Sequence, residues 1–249
     1  LATRLLARDD ATELAIVGTG VQARAHLDAM AAAGKFERAR IAGRTPSKAQ
    51  AFVSDLSPKY EFRMEAVDRA EDAVRGADVI VIGRRGKRGL GRLRVGDTAV
   101  KVIGHTESAV LVCPRAAHLW ERHVLAATDG SRHGNAAVGA AGHLAKQAGL
   151  PVTVVSVVTA SHSKARHQEA EQAVATAVQR LKDMGVAAEG KTPEGRPDEV
   201  IVKVAEAVGA DLIVVGSHGR TGLKHILLGS TVERVLDQTR YAVLVVKSA

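Results

Sequence analysis

The stretch from Ala210 to Val235, ADLIVVGSHGRTGLKHILLGSTVERV, decides how the chain is read. It opens with Asp211 and a continuous apolar run, Leu212 to Val215, the pattern of a strand covered on both faces. Gly216 follows, then Gly219 three positions on, then Gly229 after nine more residues, with Ser230 and Thr231 directly behind it. Apolar residues then recur at helical spacing through Val232, Val235 and Leu236. The pattern reads as a buried strand, a glycine-punctuated loop and a helix with hydroxyls at its start. Glycine lets the backbone approach a ligand closely, and the N–H groups of a helix start attract anions. The stretch is therefore a candidate phosphate site, set against the plainer reading of a turn followed by a helix cap.

The spacing G-x2-G-x9-G-S, the run GSHGRTGLKHILLGST and the closing strand AVLVV resemble the nucleotide-binding class of universal stress proteins, over Arg122 to Ala249. The resemblance implies an α/β fold of five parallel strands. It also implies an ATP site, with Mg²⁺ accompanying the nucleotide, formed by Gly216, Gly219, Gly229, Ser230, Thr231 and Asp129, the acidic residue after the first strand of this half. Ala127, Val157 and Val215 match positions lining the adenine and ribose pocket, although they would be core residues in any fold of this kind. Asp129 has a second reading as the cap of the next helix, and His218 a second reading as a residue present for its backbone.

Upstream, Glu13 to Val17 is an apolar strand, GTGVQA (Gly18 to Ala23) follows it, and a helix is expected from Val21 to about Ala33. A second strand, Ala39 to Ala42, leads to Gly43-Arg44-Thr45-Pro46. Strand, G-x-G-x-x-A, helix, strand is the dinucleotide-binding pattern. Gly18 permits the turn, Gly20 the approach of a pyrophosphate, and Ala23 the packing of helix on strand. Arg44 stands where an acidic residue would meet the ribose hydroxyls of NAD, and so favours the 2′-phosphate of NADP. LATRLLARDDATELAIVGTGVQARAHLDAM and RARIAGRTPSKAQAFV resemble the dinucleotide-binding domain of the ornithine cyclodeaminase and mu-crystallin family, from Leu1 to about Val81. The catalytic portion of that family is nowhere in the sequence. The glycines thus also admit a reading as the turn of a domain that has lost its ligand.

RGADVIVIGRRGKRGLGRLRVGD, ending at Asp97, repeats VGADLIVVGSHGRTGLKHILLGS at an offset of 133 residues, Gly83 falling on Gly216. Gly86 and Gly96 fall on Gly219 and Gly229, and AVLV at Ala109 to Val112 falls on AVLV at Ala242 to Val245. Gly76 to about Arg115 thus resembles the back half of a universal stress domain whose front half is replaced. Both families reach a fourth strand after three strand–helix units, so a seam near Gly76 to Val81 completes a doubly wound sheet. The first half reads as a chimera, natural or engineered. Asp97 occupies the hydroxyl position of Ser230, where a carboxylate repels phosphate and competes for the N–H groups, so this loop should bind ATP poorly.

The expected organisation is two tandem α/β domains, residues 1–119 and 120–249, each a parallel sheet ordered 3-2-1-4-5, with Trp120 between them. In the second half strands are expected at Val124–Thr128, Pro151–Val158 and Val186–Glu189, and helices at Asn135–Ala148, Lys164–Met184 and Asp198–Val208. The apolar strands Ala109–Cys113 and Ala242–Val246 invite edge pairing, within the chain or in a homodimer.

Composition narrows the function classes. Hydrophobic content of 46% and charged content of 25% suit a globular chain, and aromatics at 2% argue against stacking on single-stranded nucleic acid. The net charge of +8 favours anionic partners, and the run Arg84, Arg85, Lys87, Arg88, Arg92, Arg94 is read as a solvated face. One cysteine, Cys113, excludes an internal disulfide, and the histidines show no metal-ligand spacing. No apolar run approaches the roughly 20 residues of a membrane span, and no signal peptide opens the chain, so a cytoplasmic setting is expected. Neither a G-x-S-x-G elbow nor a Walker A sequence occurs. The expectation is an ATP-binding, regulatory protein rather than an enzyme. The alternatives are an NADP-dependent oxidoreductase or cyclodeaminase using Gly18, Gly20 and Arg44, and an inert fold chimera.

Overall fold

All five residues of Leu212–Gly216 are buried, and they alternate between two cores. Leu212 and Val214 join a cluster on one face of a sheet, Ile213 and Val215 a cluster on the other. That is the period-two consequence of a strand with helices on both sides. The computed structural model describes residues 12–20, 23–24, 27–28, 31, 36–77, 79–84, 97–114, 121–220 and 228–248. The basic run beyond Arg84, Gly86, Gly96 and Trp120 lie outside the described residues.

In the first half the strands are β1 (Glu13–Val17), β2 (Arg38–Ala42), β3 (Arg63–Val67), β4 (Val79–Arg84) and β5 (Val110–Pro114). The helices between them are α1 (Pro46–Leu56), α2 (Ala70–Val74) and α3 (Asp97–His105). In the second half β6 (Val124–Ala127), α4 (Arg132–Ala148), β7 (Val152–Val155), α5 (Lys164–Asp183), β8 (Ala188–Lys191), α6 (Pro197–Ala207), β9 (Leu212–Gly216), α7 (Ser230–Gln238) and β10 (Ala242–Val246) alternate throughout.

Ten strands form one sheet in the order β3-β2-β1-β4-β5-β10-β9-β6-β7-β8. Each half has the expected 3-2-1-4-5 order, with every pairing inside a half parallel. Where the halves meet, β5 and β10 run antiparallel, Val243 opposite Val112 and Leu244 opposite Leu111. Two apolar edges thereby become interior strands, and the cores run continuously across both halves. One face packs α1, α4 and α5 through Phe52, Val138, Leu144 and Leu181. The other packs α2, α3, α6 and α7 through Val74, Ile103, Ile201 and Leu236.

Local chemistry sets the helix ends. Ser131 Oγ accepts from Gly134 N–H (3.1 Å), which starts α4 at Arg132, three residues earlier than expected. Gly149 ends it in the left-handed region at φ 66°. Ser163 caps α5 in the same way, and Pro197 opens α6 at a position where a missing N–H costs nothing. The strand expected to reach Val158 stops at Val155; its ladder with β8 ends on Ser156 N–H to Lys191 O (3.1 Å), and Val158 re-enters as a single bridge with Glu194. β8 begins at Ala188 rather than Val186, with Val186 N–H still held by Leu181 O (3.0 Å). No helix among the described residues is long and apolar enough to cross a membrane.

Candidate functional site

In the second half, β6 is followed by β7 on one side and bordered by β9 on the other, so the sheet order reverses at the carboxyl ends of β6 and β9. Ligands of doubly wound sheets sit at such a point. A cleft of about 420 Å³ opens there. Asp129, Val157, Val215, Gly216, Gly219, Gly229, Ser230 and Thr231 all line it, together with Ala127 and His218. One wall is apolar, formed by Ala127, Val155, Val157, Val215, Ile201 and Val235. The rest of the lining comes largely from Gly216, His218, Gly219 and Arg220 of the turn after β9 and from Gly229, Ser230, Thr231 and Val232 at the start of α7.

Asp129 ties two loops together. Its Oδ1 accepts from Ser131 N–H (3.0 Å) and its Oδ2 from Arg220 N–H (2.8 Å). The carboxylate thus ties the turn before α4, whose cap is Ser131, to the loop after β9. The three glycines differ in what they serve. A Cβ on Gly216 would sit 2.6 Å from the carbonyl carbon and 2.7 Å from the carbonyl oxygen of His133, so this glycine answers to helix packing rather than to ligand approach. A Cβ on Gly219 would meet Asp129 Oδ2 at 2.8 Å. At Gly229 the nearest atom would be Ser217 O at 3.3 Å, and the Gly229 N–H donates to that same oxygen (2.9 Å). Gly229 is also the cap residue of α7; having no side chain, it leaves the first N–H groups of the helix to other acceptors. An apolar wall facing a helix start suits a ligand with a flat apolar group at one end and an anion at the other.

His133 sits beneath the glycine turn, its ring centroid 5.3 Å from that of His218. Its Nδ1 accepts from Ser248 N–H (3.3 Å), which places the ring proton of a neutral imidazole on Nε2. Burial, reinforced by His218 and Arg132, holds its pKa below the ordinary value, against the pull of Asp129. Among the described residues no three His, Cys, Asp or Glu side chains gather as metal ligands, and Asp129 is the one carboxylate among the cleft's described lining residues.

His162, Arg166, Pro197, Ile201 and Arg220 also line the cleft. Arg220 was legible as the neighbour of Gly219. His162 precedes the helix expected at Lys164–Met184 and Arg166 lies in its first turn, neither within a motif, and only the fold of α5 over β7 and β8 brings them to the mouth.

Gly18, Gly20 and Arg44 lie at a second place, the carboxyl ends of β1 and β2, with β4, β5 and β10 between them and the strands that border the cleft. Gly18 has φ 124° and donates its N–H to Ala42 O (2.8 Å). Among the described residues nothing lies within 4 Å of where a Cβ on Gly20 would be, Ala23 is buried against the strand, and Arg44 is exposed just beyond β2. The side chain of Asp97, at the start of α3, lies outside what is described.

A doubly wound α/β sheet with a glycine-bounded cleft at its switch point defines the class. The universal stress protein family profile matches residues 62–114 and 121–247, and the ornithine cyclodeaminase/mu-crystallin profile matches residues 1–87. The chain belongs to the universal stress protein family. The match begins at residue 62, earlier than the seam expected near Gly76, and overlaps the cyclodeaminase-like match over residues 62–87. A universal stress protein of Mycolicibacterium smegmatis is 30% identical over 207 residues, covering 77% of this chain and 69% of the relative. One from Methanocaldococcus jannaschii is 44% identical over 80 residues, covering 32% of this chain and 49% of the relative; the chain thus spans about half of that relative's length. The crystal structure of a universal stress protein from Archaeoglobus fulgidus superposes with a TM-score of 0.66 at 18% identity, covering 94% of this chain and 98% of the other, a likeness of fold.

Proposed function

We propose that the chain is a cytoplasmic, regulatory protein of stress response that binds ATP in the second-half cleft. The observation that carries this reading is the cleft itself, an apolar wall facing an uncapped helix start across a turn that has glycine at its contact points. The adenine would rest on Val157 and Val215, and the phosphates on the backbone of Gly219, Gly229, Ser230 and Thr231. Mg²⁺ accompanies the nucleotide, with Asp129 the nearby carboxylate. Both Asp129 oxygens are engaged by backbone N–H groups, which suits holding a ligand better than abstracting a proton, so the proposed role is non-enzymatic. Calorimetry of the whole chain with ATP, with and without Mg²⁺, tests this. Binding that disappears in Gly229→Val is expected, and absence of binding by the unaltered protein refutes the reading.

A second reading concerns residues 1–119, taken as a unit distinct from 120–249 and as a fusion of the two families. The left-handed Gly18, a Gly20 with no described residue near its missing side chain, and the exposed Arg44 favour NADP there over NAD and over ATP. Titration with NADPH, NADH and ATP ranks the three, and preference of the Gly18 turn for ATP would overturn the assignment. The antiparallel register of β5 with β10 supports intrachain pairing of the two units in place of a homodimer, so light scattering should report a monomer.

A further inference from the structure

Three charged side chains stand at the mouth of the cleft, and the site described so far does not use them. Arg220 follows Gly219, and its backbone is held by Asp129. Its Nη1 donates to Glu169 Oε2 (2.5 Å), the same oxygen that accepts from Arg166 Nη1 (3.3 Å) in the first turn of α5. The Arg220 guanidinium lies beside Gly130, where an added Cβ would stand 3.4 Å from Nη2 and 3.3 Å from Ala173 Cβ. Both arginines line the cleft, whereas Glu169 is about half exposed and faces solvent.

The charges do not balance. One carboxylate oxygen is shared by two guanidinium groups, which leaves the trio with a net positive charge beside the helix start. An exposed ion pair of this kind is weak. Guanidinium groups prefer a phosphate, which offers several charged oxygens in matching geometry. The N–H groups of the glycine turn and α7 carry only partial charge, so a longer phosphate tail gains from side-chain cations beside them. Arg166 and Arg220 are the fixed cations among the described lining residues.

We propose that Arg166 and Arg220, presented by Glu169, read the length of the phosphate tail, so that the cleft binds ATP above ADP above AMP. This rests on the reading of the cleft as an adenine-nucleotide site and adds to it a specificity and two specificity-determining residues. Nucleotide binding draws the arginines off Glu169, which places Glu169 in competition with the ligand.

The test is calorimetry of the full chain with ATP, ADP, AMP and adenosine, on the unaltered protein and on Arg166→Gln, Arg220→Gln and Glu169→Gln, with ligand-free melting of each. The expected ATP-to-AMP affinity ratio is about tenfold or more, a difference of about 1.4 kcal/mol. Each arginine variant should reduce the ratio severalfold while AMP and adenosine affinities stay within about twofold, and raising salt should narrow it further. Glu169→Gln should tighten ATP binding. A purely structural staple between α5 and the loop would instead lower the melting temperature of all three variants and leave the ratio unchanged, which overturns the proposal. Equal binding of ATP and AMP by the unaltered protein overturns it too, while leaving the nucleotide site standing. Binding of none of the four ligands overturns both.

Discussion

Replacing Gly216 with alanine separates the packing role of this glycine from any ligand role. The new Cβ would stand 2.6 Å and 2.7 Å from the backbone carbon and oxygen of His133, and 2.8 Å from its Cβ. Real Cβ atoms essentially never approach closer than 3.0 Å, so β9 and α4 must part by 3.0 − 2.6 = 0.4 Å merely to reach that limit, and by 3.4 − 2.6 = 0.8 Å to reach ordinary contact. Two of the three opposing atoms are backbone of a helix capped at Ser131 and packed through Ala137 and Val138, so no rotamer change relieves the clash. The cost should fall at the upper end of overpacking, about 3 kcal/mol, which for a chain of this size lowers Tm by about 6–12 °C. Gly229→Ala is the control, since its Cβ meets Ser217 O at 3.3 Å and a shift of about 0.1 Å restores ordinary contact, below the cost of a full methylene insertion. Urea and thermal unfolding of the two variants decide the matter. A Gly216→Ala protein as stable as the parent, or a Gly229→Ala protein destabilised as much as Gly216→Ala, would refute the reasoning.

Asp211 is nearly buried and accepts from the N–H groups of Glu121, Arg122 and His123 at 2.8, 3.1 and 3.2 Å; Asp211→Ala should cost about 2–3 kcal/mol in urea unfolding, with Asp211→Asn less damaging. Burial lowers the pKa of both His123 and His133 from 6.5, so the folded state binds fewer protons than the unfolded one. Their stabilising contribution is full above the unfolded value and is lost as pH falls below it; Tm should drop between about pH 7.5 and 5.5, and the drop should flatten in the His123→Gln, His133→Gln double variant. Burial pushes the Cys113 thiol up to about 12. Alkylation of the native protein at pH 8 should therefore run about 10³-fold slower than in denaturant, and comparable rates would show the thiol to be accessible.

The sequence by itself determined the elements and their order. Apolar runs such as Leu212–Val215 and Ala242–Val246 carry enough hydrophobic pattern to name buried strands, and the repeat from Gly83 to Gly216 places corresponding strands in the two halves. Right-handed connections between parallel strands leave few topologies, and the resemblance to two doubly wound families selected the order 3-2-1-4-5 among them. Glycine and hydroxyl spacing likewise named five residues that the fold gathers into one cleft, because a turn at a strand end and the helix behind it are local structures; Asp129, Val157 and Val215 came from the family resemblance.

What only the tertiary structure decided depends on residues far apart in the chain. His133 lies 83 positions from Gly216 in sequence (216 − 133), yet it is the backbone of His133 that requires the glycine. Arg166 and His162 reach the cleft only because α5 crosses the sheet above it, and Glu169 meets Arg220 across 51 positions. The antiparallel junction of β5 with β10 pairs Leu111 with Leu244, two strands equally apolar and equally able to form edges. Hydrophobic periodicity records which face of an element is covered but not what covers it, and that choice belongs to packing across the whole sheet.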